Sequence, residues 1–114
     1  MIQITINRTE SGKIKTFKMS GHANYANPGE DIVCAGASAV SLGMVNAIEK
    51  LTGVAPKAEQ GKSGYLKCVF PDNLSDDTDE KVQLLLEAMV LSLQEIEQIS
   101  GKHIKITFKQ QEVE

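Results

Sequence analysis

The chain has 114 residues, 41% of them hydrophobic and 24% charged, the size and composition of one globular domain with a real core, which excludes a disordered or collagen-like chain. Fifteen acidic against twelve basic residues leave a net charge of −3; phosphate recognition normally needs a concentrated basic face, so no direct nucleic-acid binding is expected, and a basic protein or peptide suits better. No apolar stretch of about 18 residues is expected to span a bilayer, and Met1-Ile2-Gln3-Ile4 opens in strand-like alternation rather than as a signal peptide. The default expectation is therefore a cytoplasmic protein with no membrane partner.

Ile2, Ile4 and Ile6 alternate with Gln3, Thr5 and Asn7, the period of a strand with one buried face. Glu10-Ser11-Gly12 reads as a turn, and Lys13 to Ser20 as a second strand whose imperfect alternation points to a bulge. Gly21 to Glu30, with Pro28 between Asn27 and Gly29, reads as an exposed loop. From Asp31 to about Leu51 the chain lacks proline and is rich in alanine, which predicts a helix stopped at Thr52-Gly53, with Gly53 as a left-handed cap. Its apolar stripe is Ile32, Val33, Ala37, Val40, Met44, Val45, Ile48 and Leu51, and the small run Ala35-Gly36-Ala37-Ser38-Ala39 permits close packing.

Pro56 to Gln60 predicts a weak strand, Gly61-Lys62-Ser63-Gly64 a turn, and Tyr65 to Phe70 a strand ended by Pro71-Asp72-Asn73. Ser75-Asp76-Asp77-Thr78-Asp79-Glu80 places hydroxyls and acids at the start of a second helix that runs to about Ser100-Gly101. Val82, Leu85, Leu86, Met89, Leu93 and Ile96 follow its 3.6-residue period. Leu84 and Leu91 lie partly outside that stripe, and contact with another copy of the chain would explain them. His103 to Phe108 closes the pattern as a strand, before a polar tail from Gln110 to Glu114. The predicted order ββαββαβ describes one α+β domain over residues 1–114, a two-layer sandwich with two helices covering one face of a mostly antiparallel sheet.

The chemistry concentrates where the loop meets the first helix. A thiol at a helix start meets the positive end of the peptide dipoles, which favours the thiolate, so Cys34 is a candidate nucleophile. Read alone, a cysteine near a helix start is most often just a small buried residue. His22, twelve residues earlier in Gly21-His22-Ala23, is the type of group that takes a thiol proton and returns it to a leaving amine, although a turn histidine that bonds the backbone has the same sequence. Asp31 suits an N-cap or an orienter of His22 better than a partner of the sulfur, because a bare carboxylate would raise the thiol pKa. Ser38, one turn after Cys34, either faces the same cleft or bonds its own helix backbone. Oxyanion stabilisation is expected from free amides at the helix start, those of Cys34 and its neighbours. Cys68 on an alternating strand reads as core, and His103 as a surface histidine. The two histidines and two cysteines show none of the short spacings of a zinc site, so no metal or other cofactor is expected.

Gly21-His22-Ala23, Gly29, and Asp31-Ile32-Val33-Cys34-Ala35-Gly36 with Ser38 resemble the bacterial ribosomal-processing cysteine protease family, Prp. The resemblance covers the length and element order of the chain. It implies a small α+β homodimer that removes a short N-terminal extension from a large-subunit ribosomal protein, cutting after an aromatic residue. By the same resemblance Cys34 is the nucleophile, His22 the general base, and Asp31 and Ser38 supporting residues. The stretch Gly21, Ala23, Asn24, Tyr25, Ala26, Asn27, Pro28 and Gly29 belongs to the loop that folds over the substrate. Two other readings stay open: a module that binds a ribosomal tail without cutting it, and a thiol redox sensor using Cys34.

Overall fold

A computed structural model of the chain describes residues 1–21, 30–62 and 64–110, and only the backbone of Glu30 and Asp31. Its elements are β1 (Ile2–Arg8), β2 (Ile14–Ser20), α1 (Glu30–Thr52), β3 (Lys57–Gln60), β4 (Leu66–Val69), α2 (Asp76–Ser100) and β5 (Ile104–Gln110). The strands form one sheet in the order β3-β4-β2-β1-β5. β1 runs parallel to β5, and the other three pairings are antiparallel.

The alternation of β1 organises the core. Ile2, Ile4 and Ile6 are fully buried, and in register with them stand Met19 and Phe17 of β2 and Ile104 and Ile106 of β5. Leu66 and Cys68 of β4 extend the same face. Against it lie Val82, Leu86, Met89, Val90 and Leu93 of α2 and Val33, Ala37 and Ile48 of α1. The bulge falls inside the first hairpin: Asn7 opposes Thr16 and Arg8 opposes Ile14, so Lys15 is the extra residue. Lys15 then bonds the Phe70 carbonyl at 2.7 Å and pairs with Asp72 at 2.8 Å.

Two side chains of α2 tie it to strand backbone, and a third pairs with a strand side chain. Gln83 accepts from the Ile14 N–H at 2.7 Å and donates to the Ile14 carbonyl at 2.9 Å. Glu97 accepts from the Ile106 N–H at 2.7 Å and so covers part of the outer edge of β5. Arg8 forms a two-pronged bond with Glu87 while its guanidinium stands 5.8 Å from the Phe108 ring centre. The helix ends follow the sequence: Ser75 caps α2 through the Thr78 N–H at 3.3 Å, and Gly53 adopts φ +77° after α1.

Three expectations need correction. Ile32 and Leu51 are 74% and 72% exposed rather than part of the α1 core stripe. The buried set Cys34, Ala37, Ser41 and Ile48 fixes the inward face, and Ile32 points roughly 160° away from Cys34 around the helix axis; Leu51 lies in the last turn, beside Leu84 and Lys81. Within Ile32–Thr52 an 18-residue stretch reaches a mean hydropathy of 1.5, long and apolar enough by length and composition to cross a membrane, contrary to the sequence reading, a composition that the core helix of a folded domain shares. Serine, glycine and asparagine among the apolar residues hide this in a search for an unbroken apolar run. Finally, Val90 joins the buried face of α2, outside the predicted stripe.

Candidate active site

Gly21 follows the last residue of β2 with φ +80°, and a Cβ there would overlap the Met1 carbonyl oxygen. Only glycine fits, which fixes where the chain leaves the sheet on its way to His22. His22 and the rest of the predicted substrate loop, Ala23, Asn24, Tyr25, Ala26, Asn27, Pro28 and Gly29, lie outside the described residues, as does the Asp31 side chain.

Cys34 stands one turn into α1, is 6% exposed and belongs to the core cluster. Ser38, one turn further on, is half-buried and shares the side of the helix on which Cys34 lies, because residues four apart are neighbours on a helix surface. α1 begins at Glu30, so Asp31 occupies the first turn rather than the capping position before it. The same boundary places the amide of Cys34, one of the expected oxyanion donors, inside the helix. By the i→i−4 pattern the Cys34 N–H has an intrahelical acceptor in Glu30. The small run does what its size allows: a Cβ on Gly36 would come within 3.9 Å of Ile96, so α1 and α2 pack closely beside the site.

The two thiols differ in kind. Cys68 is 1% exposed, faces Phe17 and Ala58 across its neighbouring strands, and burial pushes its thiol pKa up. A protonated thiol sealed in a core is no nucleophile, so the predicted core role holds. His103 is half-buried at the start of β5, where its carbonyl accepts from the Ile2 N–H at 2.8 Å. Among the described residues no group of three or more His, Cys, Asp or Glu is placed to hold a metal ion. A cleft of about 120 Å³ among Lys13, Lys15, Asp72, Asp76 and Asp79 opens at the start of β2, the opposite end from Gly21. It has no part in the thiol chemistry.

With this arrangement described, the likeness to known proteins becomes specific. Residues 1–105 match the family described as cysteine protease Prp. The ribosomal processing cysteine protease Prp of Bacillus subtilis (strain 168) is 43% identical over 108 residues, covering 94% of this chain and 96% of that protein. Two crystal structures of the essential ribosomal processing protease Prp from S. aureus share the fold. One, in complex with a substrate peptide, superposes with TM-score 0.84 at 36% identity. The other, with a covalently linked product peptide, gives 0.82 at 38%. Each likeness covers 96% of this chain and all of the S. aureus chain. The chain belongs to the Prp family of cysteine proteases.

Proposed function

We propose that the chain is the endopeptidase that trims a ribosomal protein precursor, removing a short N-terminal extension of a large-subunit protein by a cut after an aromatic residue. The reading rests on full-length similarity to ribosomal processing proteases, one of them crystallised with a covalently linked product peptide. A covalent product requires a nucleophile, and of the two cysteines only Cys34 lies beside a helix start, while Cys68 is closed off in the sheet.

In the proposed reaction the Cys34 thiolate attacks the scissile carbonyl and first-turn amides of α1 hold the oxyanion. The C–N bond breaks as His22 gives its proton to the leaving amine. Water, deprotonated by His22, then attacks the thioester, which releases the acid and returns the sulfur. Asp31 and Ser38 position these groups, and the loop through Asn24, Tyr25, Ala26, Asn27, Pro28 and Gly29 walls the aromatic pocket. The enzyme works in the cytoplasm, without a cofactor.

A homodimer is part of the proposal. Between Ile32 and Ile48 α1 carries no charged residue, yet Ile32 and Leu42 are exposed there, and Leu84 and Leu91 are exposed on α2. An uncharged solvent face of that length is what a second copy covers.

The test is incubation with a synthetic peptide spanning the extended precursor terminus, read by mass spectrometry. A single cut after an aromatic residue, lost in Cys34→Ala with the fold retained, supports the proposal. Binding without cutting supports the non-catalytic module, and a cut elsewhere overturns the aromatic preference. Light scattering of the wild type and of Leu42→Asp separates dimer from monomer.

A further inference from the structure

The net charge of −3 conceals a strongly asymmetric distribution. The sheet face turned away from the helices carries Lys18, Lys57, Lys67, Lys105 and Lys109, with Glu59 as its one carboxylate among the described residues. The register places them on one surface. Gln3, Thr5 and Asn7 are the β1 residues opposite the buried isoleucines, and Lys105 and Lys109 of β5 pair with Gln3 and Asn7. Lys18 pairs with Thr5 and with Lys67, and Lys57 pairs with Val69 in the row of Asn7. Four strand spacings by two residue pairs give a patch of roughly 19 Å by 14 Å.

Two features set this face apart from an ordinary solvated one. Lys18 and Lys67 stand directly opposite each other on interior strands, an arrangement that costs stability, that protection of a sheet edge does not explain, and that Glu59, opposite Lys67 on its other side, offsets only from one flank. Off this face four of the seven cations are neutralised, Arg8, Lys13, Lys15 and Lys81 each pairing with a carboxylate, while Lys50, Lys62 and Lys102 have no carboxylate partner among the described residues. Among the described residues none of the five lysines of the face forms an ion pair. Lys18 instead lies 5.9 Å from the Tyr65 ring centre at the rim of the patch.

We infer that this open sheet face is a docking surface for the phosphate backbone of RNA. Spaced, unpaired lysines on a flat face match repeated phosphates, while threonine and glutamine side chains between them supply hydrogen bonds to sugar and phosphate. The commitment to RNA rests on the proposed ribosomal substrate, whose surroundings are RNA. The expectation drawn from net charge alone is replaced, because phosphate recognition depends on how charge is distributed over the surface.

The experiment measures anisotropy of fluorescein-labelled oligouridine against the full-length protein across a salt series, with peptide cleavage followed separately. Wild type is expected to bind at about 50 mM salt, and Lys18→Gln/Lys67→Gln to lose about 10-fold in affinity and about 1.4 in the slope of log K against log salt, two phosphate contacts at 0.7 each. Lys50→Gln/Lys81→Gln, which lies off this face, should leave both unchanged. Peptide cleavage should be unaltered in every variant, so a failure of the docking surface is distinguishable from a failure of the peptidase reading. No binding by wild type, binding unmoved by the Lys18/Lys67 pair, or displacement by polyglutamate as effective as by unlabelled RNA would each overturn the inference, the last in favour of an acidic protein.

Discussion

Replacing Gln83 with alanine isolates one joint between the layers. β4 pairs with β2 only as far as Thr16, and Pro71 beyond it has no N–H to offer, so the Ile14 N–H and carbonyl would face outward at a residue that is 1% exposed. The Gln83 amide answers both groups, at 2.7 and 2.9 Å, and serves as one residue of a missing strand. Two such bonds contribute about 0.5–1.5 kcal/mol each, and more where the orphaned groups stay dry, so Gln83→Ala should cost about 2 kcal/mol and lower Tm by roughly 8 °C for a domain of this size. Gln83→Glu supplies the control. Its carboxylate accepts from Ile14 N–H but sets oxygen against the Ile14 carbonyl, whereas the protonated acid copies the amide. The neutral form is favoured, so the folded carboxyl pKa is raised above its unfolded value. The variant should approach wild type below the unfolded pKa of about 4.3 and lose stability as pH rises through the folded one. Urea denaturation at several pH values reads both variants. A Gln83→Ala variant within about 0.5 kcal/mol of wild type, or a Gln83→Glu variant without pH dependence relative to wild type, would show that the bridge contributes nothing.

Three further outcomes follow from individual groups. The Ser41 hydroxyl is wholly buried and, among the described residues, has no hydrogen-bond partner; Ser41→Ala should leave stability unchanged or raise it by up to about 1 kcal/mol in urea melts, and a clear loss would reveal a missed partner. The hydrogen bond from Arg8 holds the Glu87 carboxyl below its usual range. Its stabilisation is present above the unfolded pKa and lost as pH falls through the lower folded one; the pair is partly exposed, so the effect should stay below about 1 kcal/mol, and Glu87→Gln should flatten the acid limb of the stability profile. Gly21→Ala forces a side chain into the left-handed region and against Met1, costing at least about 1–2 kcal/mol. Peptide cleavage should fall with it, since His22 is the next residue, and full activity with an unchanged melt would contradict the fit at Gly21.

The parts of the fold that were legible are those where one face of an element meets the core. Isoleucines at every second position of β1, the broken alternation at Lys15 and the glycine after Thr52 each have one physical reading. β3 was harder: all four of its residues are exposed, so no hydrophobic period marks it. β5 extends past Phe108 to Gln110 because its parallel pairing with β1 continues to Arg8, a cause that lies in a distant segment. Gln83, Glu87 and Glu97 read in sequence as the polar face of a helix, and their hold on strand residues 9 to 79 positions away becomes visible only when the layers are assembled. Cys34 stood out as a thiol near a helix start, whereas the lysine face emerged only from combining the registers of four strands.

The central claim is a covalent intermediate on Cys34, and acid-quenching a reaction with the precursor peptide, followed by peptide mapping in a mass spectrometer, tests it most directly. The expected result is the N-terminal fragment held as a thioester on the segment containing Cys34 and absent from Cys34→Ala. Acylation of another residue, or continued cutting by Cys34→Ala, would contradict it.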